Sequence, residues 1–145
     1  MKWKLLLSAV FVCGLLLGAV AYSAVTNLVQ IQNVGTIRSI GVEVYADKAL
    51  TQKLNEITWG TLDPGETRSA NAWIKNTGND AQKLVLWTEN WNPTDAQNSI
   101  NLSWDYIDAW INAGDSIAVE FILSIDPEIS GVSSFSFDIW VKGVA

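Results

Sequence analysis

From residue 41 onward, apolar residues recur at every second position in short runs, and each run stops at a cluster of Gly, Pro, Asn or Asp. Successive side chains of a β-strand point to opposite faces, so this period specifies strands with one buried and one exposed side and leaves no helix of ordinary length. Ala70, Ala72 and Ile74 share a face of Thr67 to Lys75, and Leu84, Leu86 and Thr88 share a face of Lys83 to Asn90. Ile100, Leu102 and Trp104 form a third set, Ile117, Val119, Phe121, Leu123 and Ile125 a fourth, and Phe135, Phe137, Ile139 and Val141 a fifth. Turn signals separate them at Asp63-Pro64-Gly65, Asn76 to Asp80, Asn92-Pro93, Asn112 to Asp115 and Asp126-Pro127 through Gly131.

With Gly41 to Tyr45 and a short piece around Ile57 to Trp59, the count reaches about seven strands, the number of an immunoglobulin-like antiparallel β-sandwich. The expected fold class is therefore all-β. Thr67 to Lys75 and Lys83 to Asn90 are expected to form a hairpin across the polar turn between them. No internal repeat or low-complexity linker divides residues 41–145, so one sandwich accounts for them.

Residues 1–24 have a different character. Lys2 and Lys4 precede a run from Leu5 to Val25 without a charged residue, and Ala19-Val20-Ala21 or Ala21-Tyr22-Ser23 offers small residues for a signal peptidase. This is the pattern of a hydrophobic export helix. Cleavage is favoured, and an uncleaved anchor through residues 5–25 is the alternative, since that run just matches the roughly 20 residues a bilayer core requires. The expected location is extracellular or at the cell surface, with no other membrane contact.

Nine basic residues stand against fifteen acidic ones, and removing the export segment takes Lys2 and Lys4 with it, leaving a mature charge of about −8 instead of −6. The remaining cations, Arg38 to Lys142, are scattered singly. A nucleic-acid partner, which needs a basic stripe, is excluded. The lone cysteine, Cys13, lies in the export segment, so the mature domain has no disulfide and relies on its core.

The sequence has no histidine, no nucleophile elbow, no Gly-rich phosphate loop and no Cys/His ligand spacing. Asp105 with Asp108, or Glu89 with Asp95, are the carboxylate pairs a glycosidase would need, but acidic residues in sandwich loops are ordinarily solvated. Oxygen-rich loops at Asp105 to Asp108 and Asn79-Asp80 lack the spacing of a calcium loop. The expectation is a non-catalytic protein with no cofactor and no metal. Asn101-Leu102-Ser103 is a glycosylation sequon with Asn101 on the outward face of its strand.

Trp59-Gly60-Thr61-Leu62-Asp63-Pro64-Gly65-Glu66 followed by Ile74-Lys75-Asn76-Thr77-Gly78-Asn79 resembles the "G-x-L-x-P-G … N-T-G-N" pattern of immunoglobulin-like modules on bacterial and archaeal surface proteins, the cell-adhesion-related domain among them. More loosely, Gly41 to Tyr45 and Asn90 to Pro93 are similar to motifs of small secreted archaeal sandwich proteins, several of which polymerise into surface filaments by donor-strand exchange. The resemblance covers roughly residues 33 to 143 and implies a fold and a location without an activity.

Two stretches point to an assembly surface. Trp73, Val85, Trp87, Ile122 and Trp140 alternate against the inward residues and so face outward, where neighbouring large apolar residues mark a patch for a partner. Tryptophans there, with Trp91 and Trp110 in expected loops, also suit stacking on a glycan, whereas Trp59 and Trp104 are expected in the core. In the segment 25–40, Val29, Ile31 and Ile37 share one parity while Ile40, Val42 and Val44 share the other. The face changes near Ser39-Ile40-Gly41, so two strand pieces are expected, the first able to complete its own domain or to pair with an exposed edge of another copy. The partner is then this chain itself or another surface protein, and the alternative is a monomeric adhesion or carbohydrate-binding module.

Overall fold

The computed structural model describes residues 31–145, so the export segment and Val29 lie outside the described residues. Eight strands follow in order: β1 (Ile31–Ile40), β2 (Val42–Tyr45), β3 (Glu56–Leu62), β4 (Thr67–Asn76), β5 (Lys83–Asn92), β6 (Ile100–Trp104), β7 (Ser116–Ile125) and β8 (Ser134–Val144). A short 3-10 turn at Thr94–Asn98 separates β5 from β6. The strands form two four-stranded sheets with orders β3-β1-β8-β5 and β2-β4-β7-β6.

The alternating residues face each other across the two sheets. Ile31, Leu62, Ile139 and Val141 from the first sheet and Ile74, Phe121 and Leu123 from the second are fully buried, and Trp59 lies among the core residues as expected. Fully burying a large aliphatic or aromatic side chain stabilises by roughly 1.5–3 kcal/mol, which is how a domain without cysteines holds together.

The segment before Gly41 completes its own domain as an eighth strand, one of the two placements expected for it. The sandwich departs from the expectation in two ways. That strand, β1, runs parallel to β8, with Gln32 to Ile40 opposite Ser134 to Lys142, so the sheets are not wholly antiparallel. The expected hairpin of Thr67 to Lys75 with Lys83 to Asn90 is absent: β4 pairs with β2 and β7 in one sheet, and β5 pairs with β8 in the other. Alternation records which side of a strand is buried and not which strand lies beside it. Every connection except β6 to β7 crosses from one sheet to the other.

Asn76 explains why the β4–β5 turn crosses over. Its side chain is fully buried; the amide donates to the carbonyls of Asp80 (2.7 Å) and Ile111 (2.9 Å), and its oxygen accepts from the Gly78 N–H (2.8 Å). The backbone of Asn76 bonds Asp115 and Gly114 at the same time. One residue thus pins the 77–80 turn to the 111–115 loop, and the chain leaves the second sheet at that point.

Gly60 has a different task. Asn33 pairs with Gly60 and Val34 with Thr58, which leaves Trp59 unopposed as a β-bulge. The extra residue reverses parity, so Ile57 and Trp59 before it and Leu62 after it are all buried. Gly60 has φ +75, a conformation that costs an L-residue about 1–2 kcal/mol.

Replacing Asn76 with Ala removes three hydrogen bonds and strands buried backbone groups, and it should lower stability by about 2–4 kcal/mol in denaturant titration. A loss below about 0.5 kcal/mol would show that the turn does not depend on this amide.

Candidate assembly site

β1 is a central strand of its sheet. It is hydrogen-bonded on one side to β8 and on the other to β3, which has no other neighbour in that sheet. Ile31 and Ile37, singled out by parity, both point into the core. Without β1 the first sheet would split, leaving β3 unpaired and a channel open onto the hydrophobic interior.

The attachment of so central a strand is slight. β1 ends at Ile40 and β2 begins at Val42 in the opposite sheet, so Gly41 alone spans the two layers, with φ +70. This switch of sheet accounts for the parity break. Ile40, which shares its parity with Val42 and Val44, is nonetheless about half exposed (48 %) on the outer face of the first sheet, while Val42 and Val44 are buried under the second.

One inward position of β1 is polar. Asn33 is 5 % exposed, and neither its amide nitrogen nor its oxygen has a hydrogen-bond partner; the indole N–H of Trp59 is also buried without one. Asn33 borders a shallow groove of about 360 Å³ on β1, β3 and β8, together with Thr58, Thr61 and Ser136. An unsatisfied buried amide costs about 1–3 kcal/mol.

The outward tryptophans do not form one patch. Trp87 and Trp140 are directly opposed on β5 and β8, with ring centroids 5.6 Å apart and planes within 7°. Val85 (46 % exposed) lies on the same outer face. Trp73 and Ile122 belong to β4 and β7 in the other sheet, on the far side of the sandwich, which corrects the single surface the alternation suggested. Each strand's outward side can be read from parity, but the sheet it joins cannot.

Trp91 is not a loop residue available for a ligand. It closes the end of β5 and stacks on Phe137, with ring centroids 4.2 Å apart and planes within 10°. Trp104 is half-buried against Tyr106 and Phe121. Trp110 is 59 % exposed, as its loop position suggested. Asn101 is exposed on the edge strand β6.

Three of the four carboxylates considered for chemistry have structural partners. Asp105 accepts from the Glu120 N–H (2.8 Å), Asp108 pairs with Lys83 (2.6 Å), and Glu89 accepts from the Trp87 indole (2.9 Å). Among the described residues no three His, Cys, Asp or Glu side chains are grouped to hold a metal. Three half-buried carboxylates sit below their ordinary range: Glu43 through its hydrogen bonds from Lys53 and then Tyr45, Asp47 through those of Thr51 and the Gln52 N–H, and Glu66 chiefly through the Asp63 N–H.

Three apolar residues of this region were not singled out as exposed by the alternation. Ile40, Ile107 (86 % exposed) and Val144 join Trp110 as large exposed side chains. Ile107 and Trp110 sit in the loop after β6, where period-two reasoning has nothing to say, although an isoleucine between Tyr106 and Asp108 is itself unusual for a solvated loop.

No protein-family model matches the chain, and no curated protein matches it.

Asn33→Val keeps roughly the same volume and removes the unpartnered amide, so it should raise stability by about 1–3 kcal/mol in denaturant titration. Destabilisation would mean that the amide is satisfied by a bound molecule. The depressed carboxylates give a second expectation. Their unfolded forms take up protons first, so their contribution is complete above the ordinary values of 4.5 and 3.8 and is lost as pH falls through the lower folded ones. The melting temperature should fall as the pH drops below those ordinary values, and a flat profile there would contradict these bonds.

Proposed function

We propose that this chain is a non-catalytic structural subunit of the cell surface, an exported immunoglobulin-like sandwich that assembles with copies of itself by donating β1. The observation that carries this reading is the contrast between the central, two-sided pairing of β1 and its single-residue attachment through Gly41. A strand exchanged between copies makes the same ladders and fills the same core as it does at home, so the cost of exchange lies in the hinge and in bringing the copies together. A hinge of one residue leaves the closed form no slack, and short hinges of this kind favour exchange. Donation that passes from copy to copy without closing builds a filament, which is the role the resemblance implies. The export signal rests on residues 1–25, which are outside the described residues.

The alternative is a monomeric adhesion or carbohydrate-binding module, for which exposed Trp110 and the stacked Trp87 and Trp140 are the available aromatics. Trp73 faces the other way and Trp91 is committed to the core, which leaves that reading with less to work with.

The mature domain has no cysteine of its own, so introduced thiols report without background. Thr36 on β1 opposes Glu56 on β3. When Thr36→Cys chains and Glu56→Cys chains are mixed and oxidised under native conditions, strand donation predicts disulfides between different chains. Gly41→Ala, which penalises only the closed hinge, should shift the balance towards assembly by roughly 5–30-fold, corresponding to about 1–2 kcal/mol. Crosslinks confined to a Thr36→Cys/Glu56→Cys double variant, always within one chain, would overturn the proposal. A stable monomer whose tryptophan fluorescence responds to glycans would establish the alternative.

A further inference from the structure

All five large apolar side chains that are exposed among the described residues lie towards one end of the sandwich, the end at Gly41. Ile40 and Val85 flank Lys142 in one row of the first sheet, and Val144 opposes Lys83 in the next row of the β5–β8 ladder. Ile107 and Trp110 bracket Asp108, whose carboxylate pairs with Lys83, and the Lys83 ammonium also lies 5.2 Å from the centre of the Trp110 ring. The corner therefore has two halves, a basic strand face carrying Lys83 and Lys142 and a loop carrying Asp108 between Ile107 and Trp110. Lys142 makes no ion pair among the described residues.

This is also the end at which a donated β1 must leave its acceptor. The strand enters at Ile31 and emerges beyond Ile40, beside Lys142. One residue later it joins the donor's own body at Val42, and Val42 packs close to the donor's Gly143. A linker of one residue allows no distance between the two bodies, so the donor's corner is brought against the acceptor's. Ile31 lies at the opposite end of this ten-residue strand, roughly 30 Å away.

Resting on the strand-donation reading, we propose that this corner is a self-complementary contact with a second copy of the chain. The acidic, apolar loop of one copy, with Ile107 and Trp110, seats on the basic, apolar face of the other, with Ile40, Val85 and Lys142. Each copy carries both halves, so a copy that offers its loop to one neighbour and its basic face to the other repeats the contact at every donation along the filament. Exchange then gains an interface that the closed monomer lacks, and this gain separates the two states when their ladders are identical.

The test uses the mature chain with Ile107→Asn and Trp110→Ser together, both outside the ladders, and separately with Lys142→Glu. Melting of each monomer at low concentration checks that the fold is kept. Sedimentation gives the concentration at which half the chains are assembled, and the Thr36→Cys/Glu56→Cys mixture reports exchange independently. Interchain disulfides should persist, while the loop variant raises the assembly concentration about tenfold or more, as loss of a buried aromatic anchor does. Lys142→Glu should raise it as well, and added salt should narrow that difference. Interchain disulfides with an assembly concentration within about twofold of the unaltered chain would overturn the corner contact and leave strand donation standing. Absence of interchain disulfides in the unaltered background would overturn both.

Discussion

The first sheet depends on β1. Its two ladders tie β3 to β8, and Ile31 and Ile37 fill the interior between them. A central strand commonly belongs to the most protected part of a domain, since both of its edges are paired and its inward side chains are dry. Here the same strand comes first in the sandwich and hangs from one glycine. High contact content and a minimal tether are separate properties, and their combination is what the proposal of strand donation rests on.

The remaining architecture follows from a chain that changes sheet at nearly every turn. Such turns cannot be hairpins, and each needs its own device. Gly41 uses positive φ, Asn76 uses a buried amide with three bonds, and the Asp63–Glu66 turn uses Pro64 and Gly65, with the Glu66 N–H bonded to the Asp63 carbonyl (3.0 Å) and the Glu66 carboxylate accepting from the Asp63 N–H. Trp59-Gly60 and Asn76-Thr77-Gly78, which stand out in the sequence, prove to be a bulge and a crossover. Their residues serve the backbone.

Much of the sandwich was legible because burial on one side of a strand writes itself as period two. Phe135 to Val141 and Ile117 to Ile125 are cases in which parity alone places each side chain. The break at Ser39 to Gly41 was legible too, as a change of parity with no insertion to explain it. Partnership was not legible: nothing local distinguishes Leu84 beside β4 from Leu84 beside β8, and so the expected hairpin failed and the outward tryptophans were merged into one surface. Gly60 hid the length of β3 by reversing its parity midway. The exposed corner was hidden for a different reason, because Ile107 and Trp110 lie in a loop and Ile40 changes meaning once the chain switches sheet.

The central claim concerns which body holds β1 when copies associate. Electron cryomicroscopy of the assembled mature chain, with the main chain traced through Ser39 to Val42, answers it directly. Strand donation predicts continuous density that leaves the slot between β3 and β8 of one copy and enters β2 of the next. Density that turns at Gly41 and enters β2 of the same body, with copies touching only through their surfaces, would contradict it.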